Sequence, residues 1–394
     1  MLMSKSLTQT NAIAPSHSIR NGFALFSMFF GAGNVIFPLI IGQTVKGNLF
    51  FSLCGLMLTA IIVPFSGVIS ISLFEGNYQN YFRRVGAFPG FMIILLLFAL
   101  IGPFGGIPRL IGLSYSSLKV YIPSLKLLIF SAVSCVVILV FSIRKKNILK
   151  ILGLVLTPIL LISLCVIIVK GTFFSAPGLH HGASLKPLKA FFYGIKEGYN
   201  TMDLLASFFF ASMVYKKIRS QSHTGEPKSM MINMLKASVI GAFLLALVYV
   251  GFSYVAATYC QELSTVSSDQ YLGKIGQIVL GKHAGIIVCL TIIMSCLTTA
   301  IALSSLCADF LCDLFKERKP SYPLSLLIVL VLTWGVSTLE FSGIVRLLNP
   351  VLQICYPSLL AITILNIFYK VYGFKHIKIP VFIIFVIMLI TAFL

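Results

Sequence analysis

The chain has 394 residues, of which 58% are hydrophobic and only 10% charged, against roughly 25% charged in an ordinary soluble domain. With a mean hydropathy of +1.01, that balance excludes a water-soluble enzyme or binding module. The net charge of +20 would suggest nucleic acid in a soluble protein, but the basic clusters are short and lack interleaved aromatics, so no nucleic-acid partner is expected.

Apolar runs of about 20 residues, long enough to cross a hydrocarbon layer of about 30 Å, recur along the chain, and the lipid bilayer is the expected solvent for most of it. Residues 1–21 are polar and contain no apolar segment ending in a small-residue cleavage site, so they read as a cytoplasmic segment without a removable signal peptide. Spans are predicted at 22–44, 49–73, 90–118, 126–143, 149–170, 191–215, 232–257, 281–308, 323–339, 345–368 and 379–394. The chain thus reads as an all-α polytopic membrane protein with about eleven transmembrane helices.

Orientation follows from the basic residues, which are retained on the cytoplasmic side during insertion. With the N-terminus inside, Arg83 and Arg84, the cluster Arg144, Lys145, Lys146 and Lys150, the cluster Lys216, Lys217, Arg219 and Lys228, and Lys316, Arg318 and Lys319 all fall on one side. Nearly twice as many Lys and Arg lie there as opposite, and one missed span would invert every downstream loop.

Two spans are punctuated. The first is interrupted by Gly31-Ala32-Gly33-Asn34 and the sixth by Glu197-Gly198-Tyr199-Asn200-Thr201-Met202-Asp203. Glycine removes the steric barrier to non-helical dihedrals, and unwound backbone at membrane depth is tolerated only inside protein or against a wet cavity. The breaks are five spans apart, so the second set of five enters the membrane from the opposite face. The expected organisation is a five-helix repeat at 22–170, an external loop at 171–190, an inverted second repeat at 191–368 and an additional helix at 369–394. Broken helices at matching positions of inverted halves point to a binding site near the midplane.

Asp203 is placed near the middle of its span, where a carboxylate costs about 2.5–3.5 kcal/mol, and two roles are open: capping the second half-helix, or binding a cation or proton. Arg109 follows the kink-prone Ile101-Gly102-Pro103-Phe104-Gly105-Gly106-Ile107-Pro108 and reads either as a structural pair or as part of a gate. Ser295, Thr298 and Thr299 lie at i, i+3 and i+4 on one helical face. Their hydroxyls suit either helix packing or a hard cation. All six histidines fall in loops or at span edges, the nine cysteines form no CxxC pair, and no enzyme motif is present, so neither cofactor, resident metal nor disulfide framework is expected.

The segments Gly22-Phe23-Ala24-Leu25-Phe26, Phe29-Phe30-Gly31-Ala32-Gly33-Asn34, Ile101-Gly102-Pro103 with Pro108-Arg109, and Gly198-Tyr199-Asn200-Thr201-Met202-Asp203 resemble those of the bacterial branched-chain amino acid:cation symporters, the BrnQ or LIVCS carriers. The resemblance covers nearly the whole chain. It implies a LeuT-like 5+5 fold in the bacterial inner membrane and import of leucine, isoleucine and valine with a cation, commonly Na+, with H+ as the alternative. It also implies that Phe29, Gly31, Ala32 and Gly33 hold the substrate carboxylate while Gly198, Tyr199 and Asn200 hold the ammonium or side chain. Ser27, Phe30, Ser295, Thr298 and Thr299 would then bind the cation, with Asn34, Arg109 and Asp203 supporting the break or gate. Family members usually run to twelve spans. The rival readings are a same-fold symporter for another small solute and an integral-membrane enzyme acting through Asp203 and Arg109.

Overall fold

The computed structural model describes residues 15–143, 157–173, 185–221, 227–315 and 320–393, and every regular element among them is helical. The basic loop at 144–150 and His180, His181 and His223 lie outside the described residues. The helices are α1 (Pro15–Phe29), α2 (Ala32–Val45), α3 (Leu49–Leu73, with a π-helical turn at Leu58–Ile62), α4 (Tyr78–Arg83), α5 (Ala87–Ile101), α6 (Gly106–Lys119), α7 (Leu127–Ile143) and α8 (Thr157–Phe173). The second part of the chain forms α9 (Pro187–Asn200), α10 (Asp203–Gln221), α11 (Pro227–Thr258), α12 (Tyr271–Leu314), α13 (Tyr322–Ser337), α14 (Glu340–Tyr372) and α15 (Lys378–Phe393). Among the described residues, five helices are long and apolar enough to cross a membrane, and α1 with α2 makes a sixth as a pair bent by 71°. Four shorter apolar helices lie where further spans were predicted.

Several boundaries differ from the sequence reading for local reasons. Helix α5 stops at Ile101 and α6 starts at Gly106, yet the two run on as one 33-residue span. Between them Pro103 supplies no amide donor, and Gly102 and Gly105 press on the carbonyls of Phe98 and Leu100. Helix α12 begins ten residues before the predicted span, but Gly281 (φ 79°, ψ 170°) breaks it where that span was placed to start.

Helices in lipid gain little from the hydrophobic effect when they associate; close approach through small residues supplies the dispersion contacts instead. Such a crossing joins α9 to α3, where Gly194 faces the Ser52 carbonyl and Gly55 faces the Phe191 carbonyl so closely that a Cβ on either would overlap the oxygen. Large apolar side chains such as Phe50, Ile62, Val239, Phe243 and Ile287 point outward, toward the lipid.

The packing partners repeat. Helix α1 packs on α11 as α9 packs on the first part of α3, and α2 packs on α11 as α10 packs on its second part. Helix α8 contacts α11 and α12, and α14 correspondingly contacts α3 and α6; α7 contacts α12 as α13 contacts α6. The two helix interruptions, between α1 and α2 and between α9 and α10, meet where Gly33 packs against the Thr201 backbone.

Candidate functional site

The first interruption is short because its ends are satisfied locally. Phe30 N–H still donates to the Phe26 carbonyl at 2.8 Å. Gly31 N–H is met at 3.4 Å by Oδ1 of Asn34, one turn into α2, which answers one of the orphan donors at a helix start. The second interruption turns on Met202, a non-glycine residue at φ 65°, a conformation that costs about 1–2 kcal/mol and persists only where its surroundings hold it. Thr201 helps: its hydroxyl donates to the Gly198 carbonyl at 2.8 Å and accepts from Asp203 N–H at 3.5 Å.

Asp203 does not cap α10 with its carboxylate, as one reading had it. Its Oδ2 instead accepts from Asn34 Nδ2 at 2.7 Å and from the Tyr249 hydroxyl at 3.0 Å, while Asn34 Nδ2 also donates to the Tyr249 hydroxyl at 2.5 Å. All three side chains are buried. The triangle ties the start of α2 to the start of α10 and both to α11. Tyr249 was not legible as a site residue, since a tyrosine in an apolar run carries no spacing signal. Nor was Glu197, a half-buried acid on α9 that accepts from Asn200 Nδ2 at 3.2 Å.

Beside the triangle is a cavity of about 60 Å3 bounded by α1, α2, α6, α10 and α12. Both interruptions line it, through Gly31, Ala32 and Gly33 and through Thr201, Met202 and Asp203, and Gly33 packs directly against the Thr201 backbone. Phe29, Leu110, Phe210 and Leu303 make the rest largely apolar. Phe29 is held there by rings on both sides, with centroids of Phe65 at 5.2 Å and Phe210 at 5.5 Å. Arg109 enters from α6, 3% exposed, close to the rings of Phe37 and Phe341.

Of the residues assigned to the ammonium or side chain, none lines this cavity. Gly198 packs against Thr59, Tyr199 stacks on Tyr356 at 4.3 Å, and Asn200 is engaged by Glu197. The hydroxyl face of α12 does meet the first break: Ser295 Oγ and Thr299 Oγ1 both donate to the Phe30 carbonyl at 3.5 Å. Thr298 donates along its own helix, to the Ser295 carbonyl at 2.7 Å, and Ser27 sits half-buried in the last turn of α1. Among the described residues no group of three or more His, Cys, Asp or Glu is placed to hold a metal.

The comparisons with known proteins bear on the family and the fold. A family model described as "Branched-chain amino acid transport protein" matches residues 15–394. The branched-chain amino acid permease BrnQ of Bacillus subtilis (strain 168) is 29% identical over 377 residues, covering 92% of this chain and 83% of the relative. The permease BraB of the same organism is 30% identical over 367 residues, covering 89% and 80%. Among solved structures, Mhp1, a nucleobase-cation-symport-1 family transporter in a closed conformation with bromovinylhydantoin bound, superposes with a TM-score of 0.64 at 14% identity over 95% of this chain and 90% of that one. MhsT in complex with L-phenylalanine gives 0.57 at 17% identity over 94% and 98%. The fold is therefore LeuT-like.

Proposed function

Because the chain belongs to the branched-chain amino acid transport protein family, and is a secondary transporter rather than an enzyme, we propose that it imports leucine, isoleucine and valine together with a cation, Na+ in the first instance, by alternating access. It is a multi-pass protein of the bacterial cytoplasmic membrane. The N-terminus inside and about eleven spans complete the reading, following the distribution of basic residues and apolar runs. The repeated packing partners support a 5+5 inverted repeat, because exchanging the first five predicted spans for the second five exchanges one set of contacts for the other.

The observation that carries the proposal is the meeting of opposite helix ends at one cavity. The start of α2 offers unpaired amides and the positive end of a helix dipole, which favour a carboxylate. The Phe30 carbonyl, with the hydroxyls of Ser295 and Thr299 directed at it, offers oxygen ligands of the kind a hard cation takes, and a bound ion would draw these lone pairs together. The apolar walls suit an aliphatic side chain. One methylene is worth only about 1–3 kcal/mol in such a pocket, so discrimination among the three amino acids is modest.

A cavity of about 60 Å3 has room for a few waters and not for a leucine. Binding then requires α6 and α12 to separate from the broken helices, which is the motion alternating access supplies.

The test is competition. In proteoliposomes, uptake of labelled leucine is expected to be suppressed by isoleucine and valine and little affected by alanine, a polar amino acid or a nucleobase. Uptake driven by the same gradient but competed by a nucleobase and not by isoleucine would assign the fold to another solute.

A further inference from the structure

Arg109 is the least satisfied charged group in the described molecule. Its side chain is 3% exposed, and its buried Nε and Nη2 donate to no acceptor among the described residues. Two ring faces, with centroids of Phe37 at 5.2 Å and Phe341 at 5.5 Å from the guanidinium carbon, supply part of the missing solvation by cation–π attraction. Asp203 and Glu197 act on the guanidinium electrostatically without hydrogen-bonding it, and Oδ2 of Asp203 is already committed to Asn34 and Tyr249. A buried guanidinium with open donors is costly unless a ligand completes it.

Its position specifies which ligand. Nη2 lies 3.3 Å from where a Cβ on Gly33 would stand, and Arg109 lines the same cavity as Gly31, Gly33, Asp203 and Thr299. The absence of a side chain at Gly33 leaves the guanidinium facing the first turn of α2. Helix dipole and fork therefore converge on one small volume, and both favour a planar anion.

We propose that Arg109 receives the carboxylate of the transported amino acid, as a specificity-determining residue that makes the carrier select free α-carboxylates over neutral isosteres. The proposal rests on reading the cavity as the amino-acid site. It goes beyond that reading in making a side chain on α6, and not the broken backbone alone, responsible for recognising the acid group. Asp203 keeps the site near electroneutrality before and after a zwitterion enters.

The experiment compares leucine with leucinamide, which keeps the side chain and ammonium but carries a neutral carboxamide. Concentration-dependent thermal stabilisation is measured on purified wild type, Arg109→Gln and Arg109→Lys. Losing a charge-assisted fork is expected to weaken leucine roughly tenfold to hundredfold in Arg109→Gln, with leucinamide changed less than about twofold, so that the wild type's preference collapses. Arg109→Lys should retain part of it. Equal weakening of both compounds, or unchanged leucine binding, overturns the proposal.

Wild-type protein gives a second readout that does not depend on a variant folding: phenylglyoxal modification of Arg109, mapped by mass spectrometry. Leucine is expected to slow this modification while leucinamide, at a concentration that also stabilises the protein, is not; an identical rate with and without saturating leucine overturns the assignment. If wild type binds no leucine at all, the amino-acid reading itself fails, a result distinct from loss of discrimination by the carboxylate alone.

Discussion

Asn34 and Asp203, 169 residues apart in the chain, share a buried hydrogen bond of 2.7 Å. Each is among the first residues of a half-helix, α2 and α10 respectively, so the bond couples the two interruptions directly. Tyr249 closes the triangle from α11.

Substituting Asn34 by Ala removes one of the two donors to the Asp203 carboxylate and is expected to destabilise the protein by about 1–2 kcal/mol. Tyr249→Phe removes the other donor. Because both act on one oxygen, their effects should be non-additive by at least about 0.5 kcal/mol. Thermal unfolding of the two single variants and the double variant in detergent checks this; strict additivity would separate the residues energetically.

The close crossing of α3 and α9 makes a packing prediction. Gly194→Ala places a methyl against the Ser52 carbonyl and is expected to cost about 1–3 kcal/mol, since backbone must move to admit it. Gly335→Ala is the control: a Cβ there meets nothing within 4 Å, so its stability should change by less than about 0.5 kcal/mol or improve by helix propensity.

Ser295→Ala and Thr299→Ala each remove a hydroxyl aimed at the Phe30 carbonyl. Each is expected to raise the sodium concentration for half-maximal uptake several-fold while leaving leucine affinity at saturating sodium within about twofold, the pattern of a lost cation ligand. Thr298→Ala should shift it in the same direction by less, because that hydroxyl's proton is engaged along its own helix, although its lone pairs remain available. Equal loss of leucine binding at saturating sodium would move these residues out of the cation site.

Arg84 makes a smaller test far from the cavity. Its guanidinium lies 3.6 Å from the centre of the Tyr369 ring and donates to Asn366 Oδ1 at 2.7 Å, joining the end of α4 to α14. Arg84→Lys keeps the charge but neither the stacking plane nor the fork, and is expected to lower the unfolding temperature almost as far as Arg84→Ala.

Both interruptions were legible in the sequence, because glycine and polar residues inside an apolar run have few other physical explanations. Their geometry was legible only in part. Gly31 and Gly33 mark the first break where it occurs, but the second turns at Thr201–Met202, and no residue type announces a methionine at positive φ. Arg109 stood out because a buried cation is expensive; its neighbours Phe37 and Phe341 could not be named, since they come from distant parts of the chain. The same holds for Tyr249, an ordinary member of an apolar helix until Asp203 is placed beside it. Periodicity reports which residues share a helix face and carries no information on which helices face one another.

The central claim is that an inward cation gradient drives accumulation of branched-chain amino acids, and it is tested most directly by labelled-leucine uptake into sealed proteoliposomes under a sodium gradient, a proton gradient or neither. Concentrative uptake under the sodium gradient, abolished when the gradient is collapsed with an ionophore, is the predicted result. Leucine equilibration at the same rate and to the same level under all three conditions would contradict coupled transport.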